Sequence, residues 1–189
     1  MMVNDKAEII LKRIEEMARS KYLPIIGPKK GRILAELVRK FKPKRILEIG
    51  TLIGYSTIIM GKELDENAEI ITIEIEEEEA KIAKENIKQA EIRPMVKVII
   101  GDALEVIPKL EGKFDMVFID ADKEEYYNYL KLVESKLHMG SVVIADNAGI
   151  YSYSMRKYLQ YVRKSGKYRS KFIPVDWDGI EVSIKFKAT

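Results

Sequence analysis

The chain has 189 residues, 47% hydrophobic and 33% charged, enough for one ordinary domain with a full core and too apolar for a disordered chain. A net charge of +3 implies no partner by itself, and the absence of cysteine together with a single histidine, His138, excludes disulfides, thiolate centres and multi-histidine zinc sites. Any metal must then be held by oxygen, which points to Mg²⁺, Ca²⁺ or Mn²⁺. No apolar run approaches the ~18 residues of a membrane span, and MMVNDKAEIILKR carries charges where a secretory signal needs an apolar block. We therefore expect a cytoplasmic protein that does not cross a membrane.

In chain order, Ile9, Ile10, Ile14 and Met17 recur at helical spacing and predict a helix over 5–20. Residues 21–31 (KYLPIIGPKKG) read as a loop, with two prolines and two glycines. Ile33, Leu34, Leu37, Val38 and Phe41 then mark a second amphipathic helix, which Pro43 ends. From there short apolar runs alternate with helical stretches. Strands are predicted at 45–50, 69–74, 95–101, 114–120 and 141–146, with helices near 55–64, 76–90, 103–110 and 123–137. A helix near 154–165 precedes two late strands, 171–176 and 180–186, with Asp178-Gly179 in the turn between them. This alternation predicts a doubly wound α/β fold, a seven-stranded, mostly parallel sheet with an antiparallel last strand and helices on both faces. Without linkers or repeats, a single domain over 1–189 is the economical organisation, with 1–42 as N-terminal helices capping the site.

The predicted strand ends carry the chemistry. After the first strand, EIGTLIG (48–54) has Gly50 and Gly54 but leucine at 52, so it is not the G-x-G-x-x-G of a dinucleotide site, and it lacks the Lys-Ser/Thr of a phosphate-binding loop. Its glycines still admit a ligand close to the backbone. The second strand ends at Glu74, 20 residues after Gly54, where a carboxylate can accept both hydroxyls of a ribose. The third ends in Gly101-Asp102-Ala103, and Asp102 suits either an adenine amino group or a helix N-cap. The fourth, FIDADK, ends in Asp120, Asp122 and Lys123; the fifth ends in ADN, with Asp146 and Asn147. Acids without a phosphate-binding lysine suit a nucleoside lacking phosphates, and S-adenosylmethionine is such a ligand.

With these segments in hand, LEIGTLIGYST (47–57), Glu74, GDALEVIPKL (101–110), FDMVFIDADKEEYY (114–127) and ADN (145–147), the sequence resembles the class I S-adenosylmethionine-dependent methyltransferases. More narrowly it resembles the metal-dependent O-methyltransferases that include catechol and caffeoyl-CoA O-methyltransferase. The resemblance covers roughly 24–187 and implies a Rossmann-like methyltransferase fold. It also implies a cofactor pocket lined by Ile26, Gly27, Glu48, Gly50, Gly54, Tyr55, Ser56, Glu74, Asp102, Ala103 and Asp120. Asp120, Asp146 and Asn147 match the metal ligands, with Mg²⁺ the expected ion, and Lys123 matches the general base. Asp122 reads as a cap, and His138 as a cation at the C-terminus of the preceding helix.

The acceptor implied is a small hydroxylated molecule, catechol-like or another vicinal diol, and the assembly implied is a homodimer. Two features depart from the pattern. The substrate-orienting acid of the catechol enzymes has Val175 at its position, beside Asp176. Residues 148–175 contain no acid, seven basic residues and five tyrosines, and Arg156, Lys157, Arg163 and Lys164 fall on an exposed helical face. Basic and aromatic residues interleaved in this way suit an anionic partner. That supports an alternative acceptor, a hydroxylated tRNA base held through 151–171. A non-catalytic S-adenosylmethionine-binding protein is the third reading.

Overall fold

The computed structural model describes residues 6–187; Asp5, where the predicted first helix begins, lies outside them. Two helices, α1 (Lys6–Lys21) and α2 (Gly27–Phe41), precede the alternating part. That part runs β1 (Arg45–Ile49), α3 (Tyr55–Lys62), β2 (Glu69–Glu74), α4 (Glu77–Ala90), β3 (Met95–Ile100), α5 (Ala103–Val106), β4 (Phe114–Ile119), α6 (Tyr126–Val133), β5 (Leu137–Ala145) and α7 (Arg156–Lys164). The hairpin β6 (Tyr168–Val175) and β7 (Asp178–Lys185) closes the chain. The seven strands form one sheet in the order β3-β2-β1-β4-β5-β7-β6. The five strands β1 through β5 run parallel to their neighbours among them, and β7 runs against both of its own. This is the expected α/β sheet.

The central strands bury both faces, as parallel strands between helices must. Ile46, Ile70, Met116, Phe118, Val142 and Ile144 face α1 to α4, and Leu47, Ile71, Val117, Ile119 and Val143 face α5 to α7. Burying one such side chain contributes about 1.5–3 kcal/mol.

Three local expectations are corrected. The loop reading of 21–31 is too long: α2 already starts at Gly27, with Pro28 in its first turn, where a missing N–H costs nothing. Lys29 and Lys30 are therefore helical residues. The helix near 123–137 is confined to Tyr126–Val133, a 3-10 turn Glu134–Lys136 follows, and β5 begins at Leu137. His138 is thus a strand residue and no helix cap; its Nε2 meets Asp115 Oδ1 at 2.8 Å. Finally, Asp178-Gly179 is not the hairpin turn. Val175 pairs with Asp178, so the turn is Asp176-Trp177, with Asp176 in the left-handed region at φ 52°. Gly179 is needed for close approach instead, because a Cβ there would stand 2.4 Å from the Phe172 ring.

Candidate active site

The parallel ladder continues one step past its strands. Gly50 N–H donates to Ile73 (3.0 Å), Gly101 N–H to Glu74 (2.8 Å), Asp120 N–H to Ile49 (2.9 Å) and Asp146 N–H to Ile119 (3.0 Å). The predicted strand-end residues are thereby stacked side by side along the carboxyl edge, where open α/β sheets bind ligands. β1 and β4, whose order reverses the direction of winding, meet most closely there. Gly50 has φ 95°, and a Cβ on it would lie 2.1 Å from the Asp120 carbonyl oxygen, so only glycine fits.

A cavity of about 1150 Å³ opens along this edge. This exceeds the ~300–1,000 Å³ of the usual pocket for one small ligand. From Glu74 on β2 to Asp146 after β5 is three strand spacings, about 14 Å at ~4.8 Å each. Ile26, Gly27, Gly50, Tyr55, Ser56, Glu74, Asp102, Ala103, Asp120, Lys123, Asp146 and Asn147 all line it. Glu48 and Gly54 do not line it. Glu48 shares its strand face with Ile46 and is fully buried under α3, where Ser56 and Thr57 donate their hydroxyl protons to it. Gly54 is the N-cap of α3, behind the loop.

At the β2 end, Glu74 accepts the N–H groups of Leu52 (2.6 Å) and Glu76 (3.0 Å), which fix its carboxylate at the cavity wall. Asp102 lines the cavity and accepts the Leu104 N–H at 2.8 Å as the cap of α5. Asp122 likewise caps its turn through the Glu124 N–H (3.0 Å). Tyr55 turns its hydroxyl away, to Glu15 of α1 at 2.6 Å, and leaves its ring at the wall.

At the β4–β5 end, Asp120 accepts from Lys123 Nζ at 2.8 Å, and the same ammonium reaches the Tyr126 hydroxyl at 3.1 Å. Asp146 is 1% exposed; burial and the Asp120 charge push its carboxyl up, with Lys30 opposing. Sequence reasoning missed Lys30 and Asp178. Lys30, delivered by the first turn of α2, donates to both Asp146 oxygens (2.6 and 2.7 Å) and to Asp178 (3.0 Å). Burial raises the Asp178 carboxyl, but the Ile150 amide, Lys30, Asn147 and the Gly179 amide outweigh it and hold Asp178 at about 2. The only sequence signals were KKG beside the predicted Ile26-Gly27 segment and an acid in a doublet that imitates a turn.

The side chains of Asp120, Asp146 and Asp178 thus face Lys30 and Lys123, three acids against two lysines. Among the described residues no group of three His, Cys, Asp or Glu side chains forms a metal cluster. Two carboxylates and the Asn147 amide nevertheless fit a hard divalent ion, which takes oxygen donors and completes its shell with water.

The rim is apolar and exposed: Ile150 (48%), Tyr151 (46%) and Trp177 (77%) stand at the mouth. Of the five tyrosines in the basic segment, Tyr158 and Tyr168 are buried and Tyr161 is half-buried, so only Tyr151 and Tyr153 face outward. Arg163 is exposed as expected, but it is tied to the buried Glu181 at 2.6 Å. No helix among the described residues is long and apolar enough to cross a membrane.

Burial pushes Glu48 up to about 7, against the hydroxyls of Ser56, Thr57 and Thr72. Between its unfolded value near 4.5 and about 7 the folded chain holds a proton that the unfolded chain releases, so stability falls as pH rises through that window. The loss amounts to about 3 kcal/mol at ~1.4 kcal/mol per pKa unit. In Glu48→Gln this slope should be absent. Denaturant melts at pH 5 and pH 8 check it, and parallel pH dependences for the two proteins would refute the assignment.

Similar proteins share this architecture. The catechol O-methyltransferase of Niastella koreensis is 38% identical over 126 residues, 65% of this chain and 57% of that protein. The chain spans a little over half the length of the first curated relatives it matches, 57% and 56%. Among solved structures, the O-methyltransferase TomG of Streptomyces achromogenes, in complex with SAM, superposes with a TM-score of 0.86 at 26% identity, covering 94% of this chain and 90% of that one. The O-methyltransferase of Bacillus cereus, in complex with SAH, gives 0.83 at 26% identity over 94% and 90%. Residues 2–157 match the O-methyltransferase family model, and with the carboxyl-edge site in place the chain belongs to that family.

Proposed function

We propose that the protein transfers a methyl group from S-adenosylmethionine to a hydroxyl of a small, catechol-like or other vicinal-diol acceptor, with the help of a divalent cation, Mg²⁺ being the expected one. The observation that carries this reading is the shared cavity, which runs from Glu74 to the Asp120, Asp146 and Asn147 set. Relatives named catechol O-methyltransferase and a neighbour holding SAM support it.

In this reading Glu74 accepts the ribose hydroxyls, Asp102 and Ala103 border the adenine, and Ile26-Gly27 close over the methionine end. Asp120, Asp146 and Asn147 hold the cation, which when bound would lower the pKa of the acceptor hydroxyl and orient it. Lys123 is the general base of this reading, its Nζ the atom that would take the hydroxyl proton. The apolar rim of Ile150, Tyr151 and Trp177 excludes water and packs on an aromatic acceptor. A hydroxylated tRNA base is the second reading, supported by the exposed Tyr153, with Arg156 4.8 Å over its ring, two residues from the cavity-lining Tyr151.

The test is transfer of labelled methyl from the cofactor to catechols and to tRNA, with and without EDTA. We expect catechol methylation that EDTA abolishes. Turnover indifferent to EDTA would exclude the cation, and cofactor binding without transfer to either acceptor would favour a binding protein. Glu74→Ala should weaken S-adenosylhomocysteine binding by about 1–3 kcal/mol, the scale of lost charge-assisted hydrogen bonds. Calorimetry reads this directly, and unchanged affinity would refute the ribose role.

A further inference from the structure

We infer that Asp178 is a positioning residue of the cation site, setting which atom the Asn147 amide presents to the ion; the inference rests on the cation reading above. Asp178 opens β7, whose antiparallel pairing with β5 brings it beside the loop that carries Asp146 and Asn147. It is 8% exposed, and four hydrogen bonds reach its carboxylate from outside its own strand. Its Oδ1 takes the N–H groups of Gly149 (3.2 Å) and Ile150 (3.0 Å); its Oδ2 takes Asn147 Nδ2 (2.8 Å) and Lys30 Nζ (3.0 Å).

An ionised carboxylate can only accept. Asn147 must therefore turn its NH₂ toward Asp178, and Oδ1 is left as the atom available to a cation. Rotated by half a turn, the amide would offer a donor that no cation can use. Asn147 stands in the left-handed region at φ 61°, and its Nδ2 lies 2.8 Å from Asp178 Oδ2. Through Lys30 the same carboxylate also reaches the two oxygens of Asp146. The hairpin itself does not need Asp178, because its turn is made by Asp176-Trp177.

Asp178→Asn tests this with little change in shape. Its single oxygen is claimed by the Gly149 and Ile150 amides, so its NH₂ faces Asn147 and drives that amide to flip. Mn²⁺ affinity of the full chain, read from the free-ion EPR signal without acceptor, should fall about 10–100-fold, the usual effect of losing a partner that orients a metal ligand. The exchanged pair, Asp178→Asn with Asn147→Asp, restores the hydrogen bond in reverse and should recover affinity to within about threefold. Lys30→Met with Asp178→Asn restores the net charge but not the orientation, and should stay weak. Calorimetric binding of S-adenosylhomocysteine, unchanged in Asp178→Asn and in the exchanged pair, where Lys30 keeps Asp146, reports that the fold persists; for the Lys30→Met pair an unchanged melting temperature reports it. Wild-type affinity in Asp178→Asn, recovery in the charge-balanced Lys30→Met pair, or no recovery in the exchanged pair would overturn the positioning role alone. No Mn²⁺ binding by the wild-type chain would overturn the cation reading and this inference with it.

Discussion

Asp146→Asn should lower kcat by about a hundred- to a thousandfold, equivalent to ~3–4 kcal/mol of lost charge stabilisation at a cation site. The substitution keeps shape and volume at a position that is 1% exposed, so no cavity opens. What changes is charge. The cluster goes from three acids against two lysines to two against two, and the attraction for a divalent ion, which favours the ionised Asp146, falls accordingly. Lys30 keeps Asp178 as a partner, so the start of α2 should stay in place over the cavity. Affinity for S-adenosylhomocysteine should remain within about threefold, because Glu74 lies three strand spacings away, about 14 Å. Steady-state kinetics across a Mn²⁺ or Mg²⁺ titration, with calorimetry for the cofactor, separates the two effects. A kcat near wild type at saturating metal would remove Asp146 from the cation site.

The cluster of polar residues along the carboxyl edge was legible because it is a property of strand ends. Five apolar runs, each closing on glycine or an acid, announce a parallel sheet and put the polar residues on one edge. Sequence distance hardly matters there, since the ladder brings Asp120 and Asp146 together from 26 positions apart. Glu48 was misplaced by the resemblance, although strand alternation already paired it with Ile46 on the face toward α3. His138 was misread because Leu137 continues the apolar rhythm of α6, and only the pairing of Phe114 with Leu137 shows that the strand has begun.

Lys30 and Asp178 were hidden for a different reason. Each owes its role to an element that local signals end too late or too early. Pro28 looks like a loop residue but begins a helix, and Asp178-Gly179 looks like a turn but begins a strand. Lys30 then meets Asp146 and Asp178, 116 and 148 residues away, a juxtaposition that no spacing rule encodes.

Lys123→Met should reduce kcat by about 10²–10⁴-fold, the range for removing a general acid–base group, with S-adenosylhomocysteine affinity unchanged. The lysine is well supported for such a task. Asp120 and the fully buried Tyr126 hydroxyl hold its Nζ from two sides, and its side chain is only 18% exposed, so the amine has little freedom. Methionine keeps the length of the aliphatic stem against the Tyr126 ring, which the Nζ approaches to 5.3 Å, and removes only the proton-carrying atom. A structural role would make a different prediction: Lys123→Met would lower the melting temperature and leave kcat largely intact. Because Asp120 loses a partner in this variant, Mn²⁺ affinity should rise, giving an enzyme that binds its cation more tightly and turns over more slowly. Single-turnover methyl transfer at saturating cation and acceptor isolates the chemical step. A rate within about threefold of wild type there would take Lys123 out of the proton transfer and leave it as the counter-charge of Asp120.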